Sequence, residues 1–162
     1  MIEVEHEDTI LRTFILFVQS ARVALKYADS IFYRKARLSV IKYIVLQALA
    51  TNGGTMTPSE MAEWTSTERH NITTLVDRLR QDELVTVRRN EKDRRFTNVT
   101  LTDKGVKALD QARPVAREIV NQVMLSISEG DALLLEKLLR VLRQNAYHGL
   151  DHVAGQVSPR PD

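Results

Sequence analysis

The stretch from Leu84 to Gly105, LVTVRRNEKDRRFTNVTLTDKG, restricts the possible folds more than any other part of the chain. Leu84-Val85-Thr86-Val87 is rich in β-branched residues and alternates in polarity. Phe96-Thr97-Asn98-Val99-Thr100-Leu101 alternates again. Two period-two runs on either side of a polar tip predict a β-hairpin. The tip, Arg88 to Arg95, has five basic residues against two acidic ones. It lacks an Asn-Gly or Asp-Gly pair, so the spacing predicts a protruding loop and not a two-residue turn. Such a tip has no core to fill, and it suits a phosphate-lined groove.

Upstream, Thr57-Pro58-Ser59-Glu60 reads as a helix start. Thr57 serves as N-cap, Pro58 as first helical residue, and Glu60 completes a capping box. A short helix follows over Pro58 to Trp64, with Met61, Ala62 and Trp64 inward. Thr65-Ser66-Thr67 makes a turn, and a second helix runs from Glu68 to Asp82. Ile72, Leu75, Val76 and Leu79 form its buried stripe. Its other face carries Arg69, His70, Asn71, Thr73 and Thr74. A helix-turn-helix followed by a basic hairpin is a winged helix.

Asp93-Arg94-Arg95, a strand, and then Leu101-Thr102-Asp103-Lys104-Gly105 closely resemble the wing signature of the MarR family. Leu75-Val76-Asp77-Arg78-Leu79 resembles the end of that family's recognition helix. The resemblance spans Thr9 to Tyr147 and rests on the order and spacing of these motifs. It implies a homodimeric transcriptional repressor that binds a pseudo-palindromic operator in double-stranded DNA. Two positions depart from the family pattern. Ser66 and Glu83 stand where the family has glycine, so Glu83 must take a left-handed conformation or the helix must end differently.

The remaining chain reads as mainly α with a small β-wing. Met1 to Asp8 is expected to fray. Thr9 to Phe32 forms a helix whose apolar stripe, including Leu11, Phe14, Ile15, Val18, Ala21, Leu25 and Ala28, is widened by Ile10, Phe17, Val23 and Ala24. A helix apolar on more than one side must bury more than one side. It is either a core helix or one shared between subunits; with nothing ahead of it to cover it, the shared reading is favoured. Tyr33 to Arg37 is a basic connector. Ser39 to Ala50 is the next helix, ended by Asn52-Gly53-Gly54, and Thr55-Met56 pairs with the hairpin as an edge strand. Thr102 caps a long helix kinked by Pro114. Ser128 to Asp131 resembles a capping box for a final helix rich in leucine. The organisation is thus a helical dimerisation region from residues 1–35 and 102–147, a winged helix-turn-helix lobe over 36–101, and a flexible tail over 148–162.

Composition narrows the partners. The formal net charge is only +2, so affinity for nucleic acid must come from local clusters, of which there are two: Arg34 to Lys42 and the hairpin tip. No apolar run is long enough to span a bilayer, and the acidic start, MIEVEHEDT, is not a secretory signal. A cytoplasmic protein with no membrane partner is expected. There is no cysteine, hence no disulfide framework or thiol switch. His70 has no neighbouring ligand residue, and His148 and His152 straddle Gly149, so no metal site or cofactor is expected. Gly53-Gly54 lacks a phosphate-loop pattern, and nothing matches a catalytic signature.

The candidate DNA-contacting residues are Thr67, Arg69, His70, Asn71, Thr73, Thr74, Arg78, Arg88, Asp93, Arg94 and Arg95. Arg69 has the donors for guanine and Asn71 the paired donor and acceptor for adenine. Thr73 and Thr74 suit phosphates or a thymine methyl, and His70 a phosphate or base. The competing reading is a solvated helix face. The resemblance implies that Asp93 braces the wing arginines while Arg95 enters the minor groove. It also implies a pocket for a small aromatic or phenolic effector, with Arg12, Phe14, Phe17, Tyr27, Phe32 and Tyr43 as candidate lining. For those aromatics plain core packing is the stronger reading. Two further functions compete: a winged-helix module that holds another protein without operator binding, and an enzyme.

Overall fold

Thr57 sets the start of the lobe. Its hydroxyl accepts from the Glu60 backbone N–H at 3.3 Å, and the Glu60 carboxylate accepts from the Thr57 backbone N–H at 2.7 Å. Both halves of the expected capping box are therefore present. Backbone donation by Thr57, then its hydroxyl, holds the Glu60 carboxyl below the usual carboxylate range. A depressed folded pKa contributes stability that is complete above the ordinary carboxylate range and is lost as pH falls through the folded value. Thr57→Ala should thus cost about 1 kcal/mol at neutral pH. The gap to wild type should narrow at acid pH, as pH falls through the lowered folded value and the wild-type carboxylate itself becomes protonated. Urea unfolding at the two pH values checks this.

The computed structural model describes residues 2–67, 69–89 and 97–156, with side chains over 8–67, 70–89 and 97–153. The elements are α1 (Ile2–Ala36), α2 (Val40–Thr51), β1 (Thr55–Met56), α3 (Pro58–Thr65), α4 (Arg69–Gln81), β2 (Val85–Arg89), β3 (Thr97–Leu101), α5 (Asp103–Val123) and α6 (Glu129–Gln156). They fall into two compact units, Met1–Val123 and Met124–Asp162. The fold is mainly helical with one small antiparallel sheet, as the sequence predicts.

In the first unit, α2 runs through the core. Val45, Leu46, Ala48 and Leu49 have no exposure, and they share one buried cluster with Met61 of α3, Ile72 and Leu79 of α4, and Leu109 and Ala112 of α5. The sheet order is β1-β3-β2, with β1 pairing β3 as expected from Thr55-Met56. Val85 opposes Leu101 and Val87 opposes Val99. This register turns the apolar set onto the helices and leaves Thr86, Arg88, Asn98 and Thr100 on the other face.

Three helices of the lobe end alike. Gly54 N–H reaches back to Leu49 O, Thr67 N–H to Ala62 O, and Leu84 N–H to Leu79 O. The residue before each donor is left-handed: Gly53 at φ 74, Ser66 at φ 53 and Glu83 at φ 62. These are Schellman caps, and of the two alternatives at Glu83 the left-handed conformation is the one observed.

Four local expectations change. The first helix begins at Ile2 and not at Thr9; its acidic first turns suit a helix N-terminus. It also continues through the presumed connector to Ala36, with Arg34 and Lys35 in its last turn, and stops at Arg37, whose φ is 54. The last helix passes Gly149 and remains helical to Gln156, so the chain from His148 is not a tail at that point. Trp64 is 47% exposed and not inward, although Met61 three residues earlier is buried. Pro114 is exposed on α5 and does not end it.

In the second unit Ser128 caps α6, its hydroxyl accepting from the Asp131 N–H at 3.1 Å and donating to the Asp131 carboxylate at 2.6 Å. Leu133, Leu134, Leu138 and Leu150 of α6 are all more than half exposed.

Candidate nucleic-acid interface

The division of α4 into two faces creates the interface. Ile72, Leu75, Val76 and Leu79 are buried at 0 to 8%, which anchors the helix on the expected stripe. His70, Asn71, Thr73, Thr74 and Arg78 are exposed. The Thr74 hydroxyl donates to His70 O at 3.3 Å, leaving its acceptor lone pairs for an incoming group. Thr67, just before the helix, is partly buried, its hydroxyl donating to Thr65 O at 3.3 Å. Asp77 pairs with Arg80 along the helix at 3.4 Å, whereas Arg78 has no carboxylate partner among the described residues.

The C-terminal end of α4 is tied down at two points. Lys42 of α2 pairs with Asp82, and Lys104 of α5 pairs with Glu83 at 2.7 Å. The second pairing, by hydrogen bond and charge, holds the Glu83 carboxyl below its ordinary range. At the hairpin, Arg88 opposes Asn98 on the outer face and Arg89 opposes Thr97. Both arginines are exposed, and neither has a carboxylate partner among the described residues. Arg89 was absent from the candidate set, although its place in the basic tip was a sufficient signal. Asp93, Arg94 and Arg95, and the side chain of Arg69, lie outside the described residues.

The other basic cluster is largely committed to the fold. Lys35 pairs with Glu118 at 2.6 Å, and Lys42 with Asp82. Arg37 lies 5.5 Å from the Tyr33 ring centroid, and the Arg34 Nε donates to Ser30 O at 3.4 Å. Among the described residues, half of its charges have no carboxylate partner.

The six residues proposed for an effector pocket are not gathered together. Phe32 is buried and stacks on Tyr43, with centroids 4.9 Å apart. Tyr27 lines a groove between α1 and α5 with Val23, Ala24 and Val123. Arg12, Phe14 and Phe17 are exposed on the N-terminal half of α1, about 15 Å or more along the helix from Tyr27 at 1.5 Å per residue. Among the described residues no group of His, Cys, Asp or Glu can hold a metal, and no helix is long and apolar enough to cross a membrane.

A helix-turn-helix with a polar outer face and a basic two-stranded wing defines the winged-helix class of DNA-binding proteins. Residues 38–95 match the model of the MarR family. The HTH-type transcriptional repressor NicR of Pseudomonas putida is 32% identical over 122 residues, 74% of this chain and 77% of that protein. Two solved structures share the fold. Sco3205, a MarR family transcriptional regulator from Streptomyces coelicolor in complex with DNA, superposes with a TM-score of 0.78 at 21% identity, over 86% of this chain and 87% of that one. BpsR of Bordetella bronchiseptica, whose DNA binding is regulated by 6-hydroxynicotinic acid, gives 0.66 at 22% identity, over 79% and 98%. The chain belongs to the MarR family of winged-helix transcriptional regulators, proteins that bind DNA and are not enzymes.

Proposed function

We propose that the chain is a homodimeric repressor that reads a pseudo-palindromic operator through α4 and the wing, and that a small aromatic ligand releases it. The observation that carries this reading is α4 itself, anchored by four buried apolar residues and presenting His70, Asn71, Thr73, Thr74 and Arg78 outward. The terminal helices, α1 with α5 and α6, serve as the dimerisation region. Ile10, Leu11, Phe14 and Leu16 on α1 are more than half exposed, as are Leu133, Leu134, Leu138 and Leu150 on α6. A surface so apolar calls for a second copy. Two heads related by a two-fold axis need half-sites about one helical turn apart, roughly 10 base pairs. A ligand acts by favouring a dimer whose heads no longer match that spacing. NicR, a repressor, and BpsR, regulated by a hydroxylated aromatic acid, support the sign of regulation and the ligand class.

The test is a salt titration of affinity for a duplex that the protein selects from random-sequence DNA. Arg95→Ala should leave stability within about 0.5 kcal/mol, weaken binding, and flatten the dependence on salt, because fewer counterions are released. Asp93→Ala should also weaken binding, although it removes a negative charge, because the unbraced tip must then be ordered on binding. Tighter binding by Asp93→Ala would reject the brace. Unchanged binding by Arg95→Ala would remove the wing from the mechanism, and a wild-type protein that selects no duplex at all would favour a protein-interaction module.

A further inference from the structure

We propose that Thr102, Lys104 and Gly105 are positioning residues for operator binding: they seat α5 on the two peptide groups that join the recognition helix to the wing, and so fix the angle of the reading head. The proposal rests on the two-headed reading above.

The junction is built from backbone. Asp82 N–H donates to Arg78 O at 3.0 Å, Glu83 N–H to Arg80 O at 2.9 Å, and Leu84 N–H to Leu79 O at 2.9 Å. This cap turns the chain from α4 into β2 through the left-handed Glu83. The carbonyls of Glu83 and Leu84 then become acceptors for α5. Thr102 N–H donates to Leu84 O at 3.1 Å. The Thr102 hydroxyl donates to Glu83 O at 2.7 Å and accepts from Gly105 N–H at 3.0 Å. One side chain thereby caps α5 and fastens it to the end of α4.

Gly105 closes the contact. A Cβ built on it would lie 2.2 Å from Leu84 O and 3.1 Å from Leu84 C. Those atoms are main chain, so no rotamer change can make room. Outside this contact, Lys104 pairs with the Glu83 carboxylate at 2.7 Å. The ends of α4, β2 and α5 thus meet through main chain, the short Thr102 side chain and the packed Leu101 side chain, and a close contact of this kind transmits angle with little slack.

The lever arm makes angle matter. At 1.5 Å per residue, the 21 residues of α5 span roughly 30 Å. A tilt of about 10° at one end moves the other by roughly 5 Å, more than the 3.4 Å base-pair step of DNA. Loosening the junction should therefore erode the choice of half-site spacing before it erodes DNA binding as such.

The experiment compares wild type with Thr102→Val, Thr102→Ser and Lys104→Ala. The probe is a duplex selected by wild-type protein from random-sequence DNA, then rebuilt with half-sites one or two base pairs closer or farther apart. Valine keeps the shape of threonine and removes both hydroxyl hydrogen bonds. Thr102→Val should bind random duplex within about 2-fold of wild type, lose about 10-fold or more on the selected duplex, and discriminate poorly among spacings. Thr102→Ser should restore both affinity and discrimination. Lys104→Ala alters an exposed pair that folding does not depend on, and should blunt the spacing preference by about 2-fold. If Thr102→Val does not fold, Lys104→Ala decides. Wild-type spacing preference in every folded variant, whatever their stability, would overturn the proposal. A wild-type protein indifferent to spacing would overturn the two-headed reading as well, and is distinguished because it needs no variant.

Discussion

Leu138→Glu combined with Leu142→Glu should convert the protein to a monomer and lower its affinity for a selected operator duplex by about 100-fold or more. Leu134, Leu138 and Leu142 recur every four residues along α6 and share one face of it. They are 56, 52 and 42% exposed. Burying a leucine against a second copy contributes about 1.5–3 kcal/mol, and a glutamate at the same place must instead be desolvated without a partner. Two such changes per subunit meet their counterparts across a two-fold axis, which doubles the penalty. Losing the dimer costs the second head, whose attachment is intramolecular once the first has bound. The α4 face is untouched, so affinity for random duplex per head should hold. Sedimentation and a binding titration on the same samples check both halves. A double variant that stays dimeric at micromolar concentration would remove α6 from the interface, and a monomer with full operator affinity would remove the dimer from the mechanism.

What was legible in the sequence was whatever depends on short spacing. The four-residue stripe of α4, the Thr57–Glu60 box, the alternation of β2 and β3, and the Thr102 cap are all decided within a turn or a strand pair. The strain at Glu83 was legible only through the resemblance, which places glycine there and left two outcomes open, a left-handed residue or a different helix end; the first is observed. Side-chain ion pairs across long separations were not legible. The basic run Arg34 to Lys42 looked available for DNA, but the partners of Lys35 and Lys42 lie 83 and 40 residues away. Gly105 carries no hydrophobic signal, and yet it is the buried residue of its turn while the neighbouring Val106 is 43% exposed. The start of α1 was read as frayed, and the end of α6 as a tail on account of its glycines and prolines. A glycine inside a helix costs only about 1 kcal/mol, less than the 28 residues of α6 can offset. The aromatic set is dispersed within one copy for a related reason: composition gathers Phe14, Phe17, Phe32 and Tyr43 into one class, but they are spread along α1 and onto α2.

Asn71→Ala should reduce affinity for the selected operator by about 5- to 150-fold, the equivalent of 1–3 kcal/mol for a bidentate amide on adenine. Random duplex should be affected by less than about 2-fold, since a contact to a base edge contributes nothing where the base is wrong. The fold should be indifferent. Asn71 is exposed next to Ile72, which has no exposure, so the anchor of the helix survives the substitution. Arg78→Ala supplies the contrast. Its guanidinium lacks a carboxylate partner among the described residues, and a phosphate contact should be lost alike on both DNAs, with the salt slope falling by about 1. The two variants therefore separate base reading from backbone contact by the pattern of loss and not by its size. A chemical cycle sharpens the assignment. Replacing the contacted adenine by 7-deazaadenine removes the N7 acceptor, which should weaken wild type but leave Asn71→Ala unchanged. If 7-deazaadenine weakens both proteins equally at every adenine of the half-site, or if Asn71→Ala loses as much on random duplex as on the operator, Asn71 does not read a base.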